Sequence, residues 1–412
     1  MSEPVCITGV GVVSGFGDSC DRFRDSLHAG ATAVHPSAQF EAAGCRSVLA
    51  ARVSQFDPAR WISPMKLRRM DDTGPFALVA IQQAMAQARY VVTAEGDDRT
   101  GVVLGTYSAG GQATNDYLAA LFRGGPTGAP ALLFNSTVAN AAAGLAGLEF
   151  KLRGPNATIS QKEASGLAAI ATAVDLLQAG RADAVATGGM DALYEIFFRT
   201  HDRFGVMSTA TAFGTQVAPF SRCRRGFVMG EGGFGLWIER GGAWRERGAR
   251  CLAEIVGVGA SSATVPINAW PDHPEPLVRT MRQALDEAGV RPSEVDVVYA
   301  SANASRVLDD TEARALIELF GASPVVTSVK SALGEFGASG SASCVAAVLC
   351  GAAGHVPPIA GLVDVDPVAA PLRIATSRAA TAGPIVLVNS FASGGALFSV
   401  VLRVHRHVSR AP

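Results

Sequence analysis

Residues 154–180 read GPNATISQKEASGLAAIATAVDLLQAG, and the fold is decided by how this stretch divides. A short β-prone run, 156–160, is followed by an unbroken helical pattern over 164–178. Leu167, Ile170, Val174 and Leu177 recur at intervals of 3, 4 and 3, which places them on one helical face. Gly180 supplies the stop. Glu163 stands at the strand-to-helix junction, beside the unsatisfied N–H donors and positive dipole end of the helix. Such a junction suits an activated nucleophile or a bound anion. Here it carries a carboxylate.

Outward from this unit, the chain has 412 residues, enough for two packed halves around a large core. It is 48% hydrophobic and has 45 glycines, a composition suited to close-packed α/β layers rather than disorder. The formal net charge of −1 offers no electrostatic case for nucleic acid or a membrane surface. The seven cysteines are scattered without a CxxC pair, which predicts reduced thiols, a cytoplasmic setting and no metal or cofactor. No basic leader and no apolar run of about 18 residues is seen, so neither secretion nor membrane insertion is expected.

Taken in order, residues 5–17 form a β-branched run that breaks into glycine and serine, an opening strand rather than a spaced dinucleotide fingerprint. Lys66, Arg68 and Arg69 form a basic cluster, ordinarily a solvated face. Residues 99–106 read as a buried strand, followed by a helix through Tyr117, Leu118, Leu121 and Phe122. Residues 183–189 form a further strand, with 188–191 expected as a turn. Within 218–239, Glu231 sits in a Gly-Glu-Gly-Gly turn and reads as a structural hydrogen-bonding acid. The strand at 295–300 and the strand, Gly/Ser turn and helix of 324–350 repeat the first half in outline, which predicts a pseudo-twofold pair of α/β halves. The prolines of 269–276 mark the most loop-like stretch.

The stretch 154–180, the segment 218–239 and the closing Asn-Ser-Phe-Ala-Ser-Gly-Gly at 389–395 together resemble the β-ketoacyl synthases, the thiolase-fold condensing enzymes of fatty acid and polyketide synthesis. The resemblance implies an α/β thiolase-like fold with pseudo-twofold-related halves in five αβαβα layers. Residues 1–250 would be the N-terminal half, with inserted cap and dimer-interface segments, and 251–412 the C-terminal half.

In that family a thiolate accepts the acyl chain, two imidazoles stabilise the enolate formed on decarboxylation, and N–H donors hold the oxyanion. By resemblance, the cysteine slot is Glu163, the first histidine slot is Asn303 and the second is Glu335, while Lys330 is retained. None of His28, His35, His201, His273, His355, His405 and His407 falls in either slot. Phe391 matches the gate phenylalanine. Gln112, Thr114, Asn115, Tyr117 and Phe134 are implied as tunnel residues near a dimer interface, and the basic cluster as a docking face for acyl carrier protein.

Scaffold motifs without their reacting groups are similar to the chain-length factor of type II polyketide synthases. This implies a catalytically silent subunit that pairs with an active ketosynthase, meets acyl carrier protein and sets chain length. The alternative is a stand-alone malonyl-carrier decarboxylase or acyltransferase with Glu163 as base. Glu163 is expected to rest against the helix N-terminus, paired with Lys330 or another donor of the pocket.

Overall fold

The structure is a computed structural model that describes residues 4–68, 70–381 and 383–406. Arg69 of the basic cluster and His407 lie outside the described residues.

The run VCITGVGVV forms β1 (Val5–Val13), buried along its whole length. A strand covered on both faces has no use for polar alternation, which is why it reads as continuously apolar. The other strands of its sheet are β2 (Thr100–Gly105), β3 (Asn156–Ile159), β4 (Ala184–Asp191), β5 (Gly232–Arg240), β6 (Ala253–Ser262), β7 (Val297–Tyr299), β8 (Val325–Thr327), β9 (Arg373–Ile374), β10 (Ile385–Phe391) and β11 (Ala396–Val404). The eleven lie in the order β9-β8-β7-β10-β11-β6-β1-β5-β4-β2-β3.

Outward from the central β1–β6 pair, the sequence β1-β5-β4-β2-β3 on one side is repeated as β6-β11-β10-β7-β8 on the other. Pair directions repeat as well. β1–β5 and β4–β5 are antiparallel and β2–β4 and β2–β3 parallel, as are β6–β11, β10–β11, β7–β10 and β7–β8 respectively. The halves join where β1 pairs antiparallel with β6 through Val5↔Ile255, Cys6↔Glu254 and Ile7↔Ala253.

Helices cover both outer faces and fill the middle. α1 (Thr73–Gln87) lies on β1, β5 and β4. α2 (Gly111–Gly124) follows β2, and α3 (Ser165–Gln178) follows β3. Next come α4 (Glu195–Phe204), α5 (Glu275–Ala288) on β6 and β11, α6 (Arg306–Phe320), and α7 (Ser339–Ala352). α3 and α7 are buried around nearly their whole circumference and touch strands of both halves, so they form the middle layer of an αβαβα stack. Their crossing is close: a Cβ at Gly166 would lie 2.8 Å from Ser341 Oγ and 3.2 Å from Gly337 O.

Residues 188–191 are strand, not turn: β4 runs through to Asp191. The glycines there serve close packing, since a Cβ at Gly188 would stand 2.0 Å from Phe234 O and one at Gly189 3.1 Å from Ala338 Cα. No helix among the described residues is long and apolar enough to cross a membrane.

Candidate active site

After β3 the chain reverses through Lys162, whose φ of 50° is left-handed, into the one-turn helix Lys162–Ala164, and α3 begins at Ser165. Ser165 Oγ locks the turn by accepting from Gln161 N (2.8 Å) and donating to Lys162 O (2.6 Å). Gly105 presses on it from β2, where a Cβ would stand 2.1 Å from Ser165 O. Glu163 is thereby held in the interior, 4% exposed.

Its partner is not Lys330 but another donor of the pocket, Ser393. The carboxylate accepts from Ser393 N (3.1 Å) and Ser393 Oγ (3.1 and 3.2 Å). Ser393 Oγ in turn accepts from Lys162 Nζ at 2.7 Å, and that ammonium also reaches Ile267 O at 2.6 Å. The buried start of α3 is met from the other half, Gly166 N donating to Gly337 O at 2.8 Å. Burial pushes the Glu163 carboxyl above the usual range, and the charge of Glu335 pushes it the same way.

Lys330 belongs to Glu335 instead. A short helix, Lys330–Leu333, follows β8, and Gly334 (φ 77°) turns the chain so that Glu335 folds back over it. Glu335 Oε2 accepts from Lys330 Nζ (2.8 Å) and Asn303 Nδ2 (2.7 Å), while Oε1 accepts from Ser339 Oγ (2.8 Å). Lys330 and Glu335 side chains are each 2% exposed. Lys330 Nζ also donates to Ser301 O at 2.7 Å, and Asn303 Oδ1 accepts from Ser305 N at 2.9 Å. The three positions therefore form a closed, charge-compensated network in which each group is already satisfied. It holds no thiolate and no imidazole, and an enolate placed there would face a carboxylate.

Beside Glu163 lies a cavity of about 40 Å³ lined by Tyr107, Lys162, Glu163, His201, Trp270 and Ser393, among others. That is room for a water or two. His201 comes from α4, which the sequence pattern does not connect to the site. Its Nδ1 lies 2.9 Å from Phe197 O, which fixes it as donor and leaves Nε2 facing the Tyr107 hydroxyl at 3.4 Å. Burial holds the ring below its ordinary pKa, so this histidine is a neutral packing group.

The tunnel candidates separate into two groups. Phe391 ends β10, fully buried, with its N–H donating to Ser301 Oγ at 2.9 Å and its carbonyl accepting from Trp270 Nε1 at 3.4 Å. Gln112, Thr114, Asn115 and Tyr117 lie on α2, half-buried, with Thr114 Oγ1 donating to Thr137 O at 3.1 Å and Gln112 donating to Asp116 at 2.8 Å. The Tyr117 ring packs on Phe134 with centroids 5.6 Å apart, and Phe134 is 56% exposed. None of the six lines the small cavity. Around them Leu118, Phe122, Leu132 and Val138 are also exposed, an apolar face without cover among the described residues.

Glu231 is structural: its carboxylate accepts from Val53 N (2.9 Å) and Leu193 N (2.8 Å) and meets Arg52 at 3.0 Å. In the basic cluster, Lys66 is paired with Glu149 at 2.6 Å. Asp191, which sequence reading passed over, gathers Thr106 Oγ1, Tyr107 N and Ser108 N on one oxygen and Ala338 N on the other, tying the loop after β2 to the start of α7.

Residues 2–241 match the β-ketoacyl synthase N-terminal domain and 252–363 its C-terminal domain. A 3-oxoacyl-[acyl-carrier-protein] synthase 2 of Synechocystis sp. is 29% identical over 402 residues, 95% of each chain. A protein of Streptomyces rimosus named as a β-ketoacyl synthase of the oxytetracycline polyketide is 33% identical over 380 residues, 88% of each. Among solved structures, the ishigamide ketosynthase/chain length factor superposes with a TM-score of 0.91 at 27% identity, covering 98% of this chain and 100% of that one. With thiolase-like halves joined through one shared sheet and these domains matched over most of its length, the chain belongs to the β-ketoacyl synthase family.

Proposed function

We propose that this chain is a catalytically silent ketosynthase-like subunit, a chain-length factor that pairs with an active ketosynthase, completes the acyl tunnel across their interface and limits product length. The observation that carries the reading is that the three positions expected to hold a thiolate and two imidazoles carry other groups, each already hydrogen-bonded. Glu163 is held by Ser393, and Asn303, Lys330 and Glu335 hold one another. A carboxylate lacks the soft nucleophilicity of a thiolate at neutral pH, and the remaining space is too small for an acyl chain.

The partner surface is the apolar face of Leu118, Phe122, Leu132 and Phe134, next to Gln112, Thr114, Asn115 and Tyr117. Exposed apolar residues in such a contiguous group support a protein contact, and the ishigamide ketosynthase/chain length factor supports its kind. Acyl carrier protein is the expected second partner. The seven free cysteines support a cytoplasmic setting.

Co-expression with a ketosynthase encoded beside this chain tests the proposal. A stable heterodimer is expected, in which aromatic substitutions at Gln112 and Thr114 shorten the product measured by mass spectrometry. A chain that purifies as a homodimer and never associates refutes the reading. So does an isolated chain that turns malonyl-carrier into acetyl-carrier, with product lost in Glu163→Ala, which is the outcome for a stand-alone decarboxylase.

A further inference from the structure

At the end of the sheet remote from Glu163, three strands bring soft and borderline ligands together. β1 carries Cys6, β6 is preceded by Cys251 and carries Glu254, and β11 is followed by His405. Backbone pairing sets their positions: Cys6 lies opposite Glu254, Arg403 opposite Glu254, and His405 N donates to Leu252 O at 2.9 Å. Ligand atoms of Cys251, Glu254 and His405 all fall within 4.8 Å of one another, and Glu254 Oε1 is 3.8 Å from His405 Nε2.

We propose that Cys251, Glu254 and His405, with the adjoining Cys6 thiol, form a binding site for a borderline-soft divalent cation, with zinc the best chemical match. Cysteine sulfur, imidazole nitrogen and a carboxylate oxygen are its usual donors, and tetrahedral coordination at normal bond lengths sets ligand atoms about 3.3–3.8 Å apart. Small side-chain rotations close the present spacing, and His405, 43% exposed, is free to make them.

The second shell also suits a cation. Arg403 donates to Glu254 Oε2 at 2.9 Å, leaving Oε1 turned toward His405. Arg403 would offset part of the negative charge that thiolate and carboxylate donors bring to a divalent ion. A bound ion would pin β1 of the first half to β6 and β11 of the second, a structural clamp separate from the pocket around Glu163. Along nine-residue β11 the separation from the Ser393 end is about 26 Å.

The test uses the reduced, chelator-stripped full chain titrated with cobalt(II) and zinc(II). Cobalt is expected to develop a thiolate charge-transfer absorption with the intense visible bands of tetrahedral coordination, displaced by stoichiometric zinc. The thiolate absorption is lost in Cys251→Ala and weakened in Cys6→Ser. His405→Ala, at an exposed position that leaves the fold intact, lowers zinc affinity at least tenfold and abolishes the zinc-induced rise in melting temperature. Arg403→Ala, acting through Glu254, lowers affinity by roughly 10-fold or more. Absence of a thiolate–cobalt absorption, or its survival in Cys251→Ala, overturns the proposal.

Discussion

Glu335 and Lys330 are the residues whose pairing most constrains the candidate site. Each side chain is 2% exposed, so neither charge has water to fall back on. Removing one partner leaves the other buried and unpaired, at a cost of about 3–5 kcal/mol. Glu335→Ala is therefore expected to lower the urea midpoint sharply. Lys330→Met combined with Glu335→Leu, which removes both charges, should recover most of that loss. Glu163 behaves differently, because its folded carboxyl is shifted upward by burial and by Glu335. A group raised in the folded state contributes its stability below the unfolded pKa and loses it as pH rises through the folded value. Glu163→Gln does not titrate, so its melting temperature relative to wild type should climb as pH is raised from acid toward neutrality and beyond. A difference that is flat in pH would mean that Glu163 is not the strained group. Glu163, Asn303, Lys330 and Glu335 were legible in the sequence as candidates, and the structure joins the last three. Their partners were not, because Ser393, Ser339 and His201 arrive by tertiary packing from segments that no local spacing connects to Glu163.

Among the elements, the strand and helix of the opening motif were legible to within a residue, as 156–160 and 164–178 against Asn156–Ile159 and Ser165–Gln178. The intervening turn was not, since a left-handed Lys162 is held by Ser165 and Gly105 rather than by its own preference. β4 was cut short in sequence reading because Gly188 and Gly189 look like turn formers, whereas their missing Cβ atoms admit Phe234 and Ala338. Two-residue β9 has too little sequence to carry any pattern. α2 is the element with most left to bury: Phe122 and neighbouring Leu132 are each 82% exposed. Full burial of such a side chain contributes about 1.5–3 kcal/mol, and each 1.4 kcal/mol is about tenfold in affinity. Phe122→Asp and Leu132→Asp should each weaken association with the proposed ketosynthase partner by about tenfold or more, measured by calorimetric titration. The melting temperature of the isolated chain should stay nearly unchanged. An unaltered affinity would remove α2 from the interface.

At the scale of the whole molecule, the two halves are repeats that do not stand apart. β1 and β6 pair directly, and one hydrophobic cluster runs from Val5 through α3 and α7 to Val404. α3, from the first half, packs on β6 and β11 of the second, while α7 returns to β1 and β5. We place the boundary between the halves at 250/251, in the connection between β5 and β6. A cut there would strip from residues 1–250 the whole of α7, which has almost no exposed surface in the intact chain. Returning that surface to water at about 25 cal/mol per Å² works directly against the roughly 5–15 kcal/mol of net stability available to a folded protein. The full chain is therefore expected to unfold in a single calorimetric transition. Residues 1–250 and 251–412 made separately should give no cooperative transition, and recovery of structure should require mixing the two. A fragment 1–250 that stays soluble and melts cooperatively by itself would show that the middle layer is an interface between independent domains rather than a shared core.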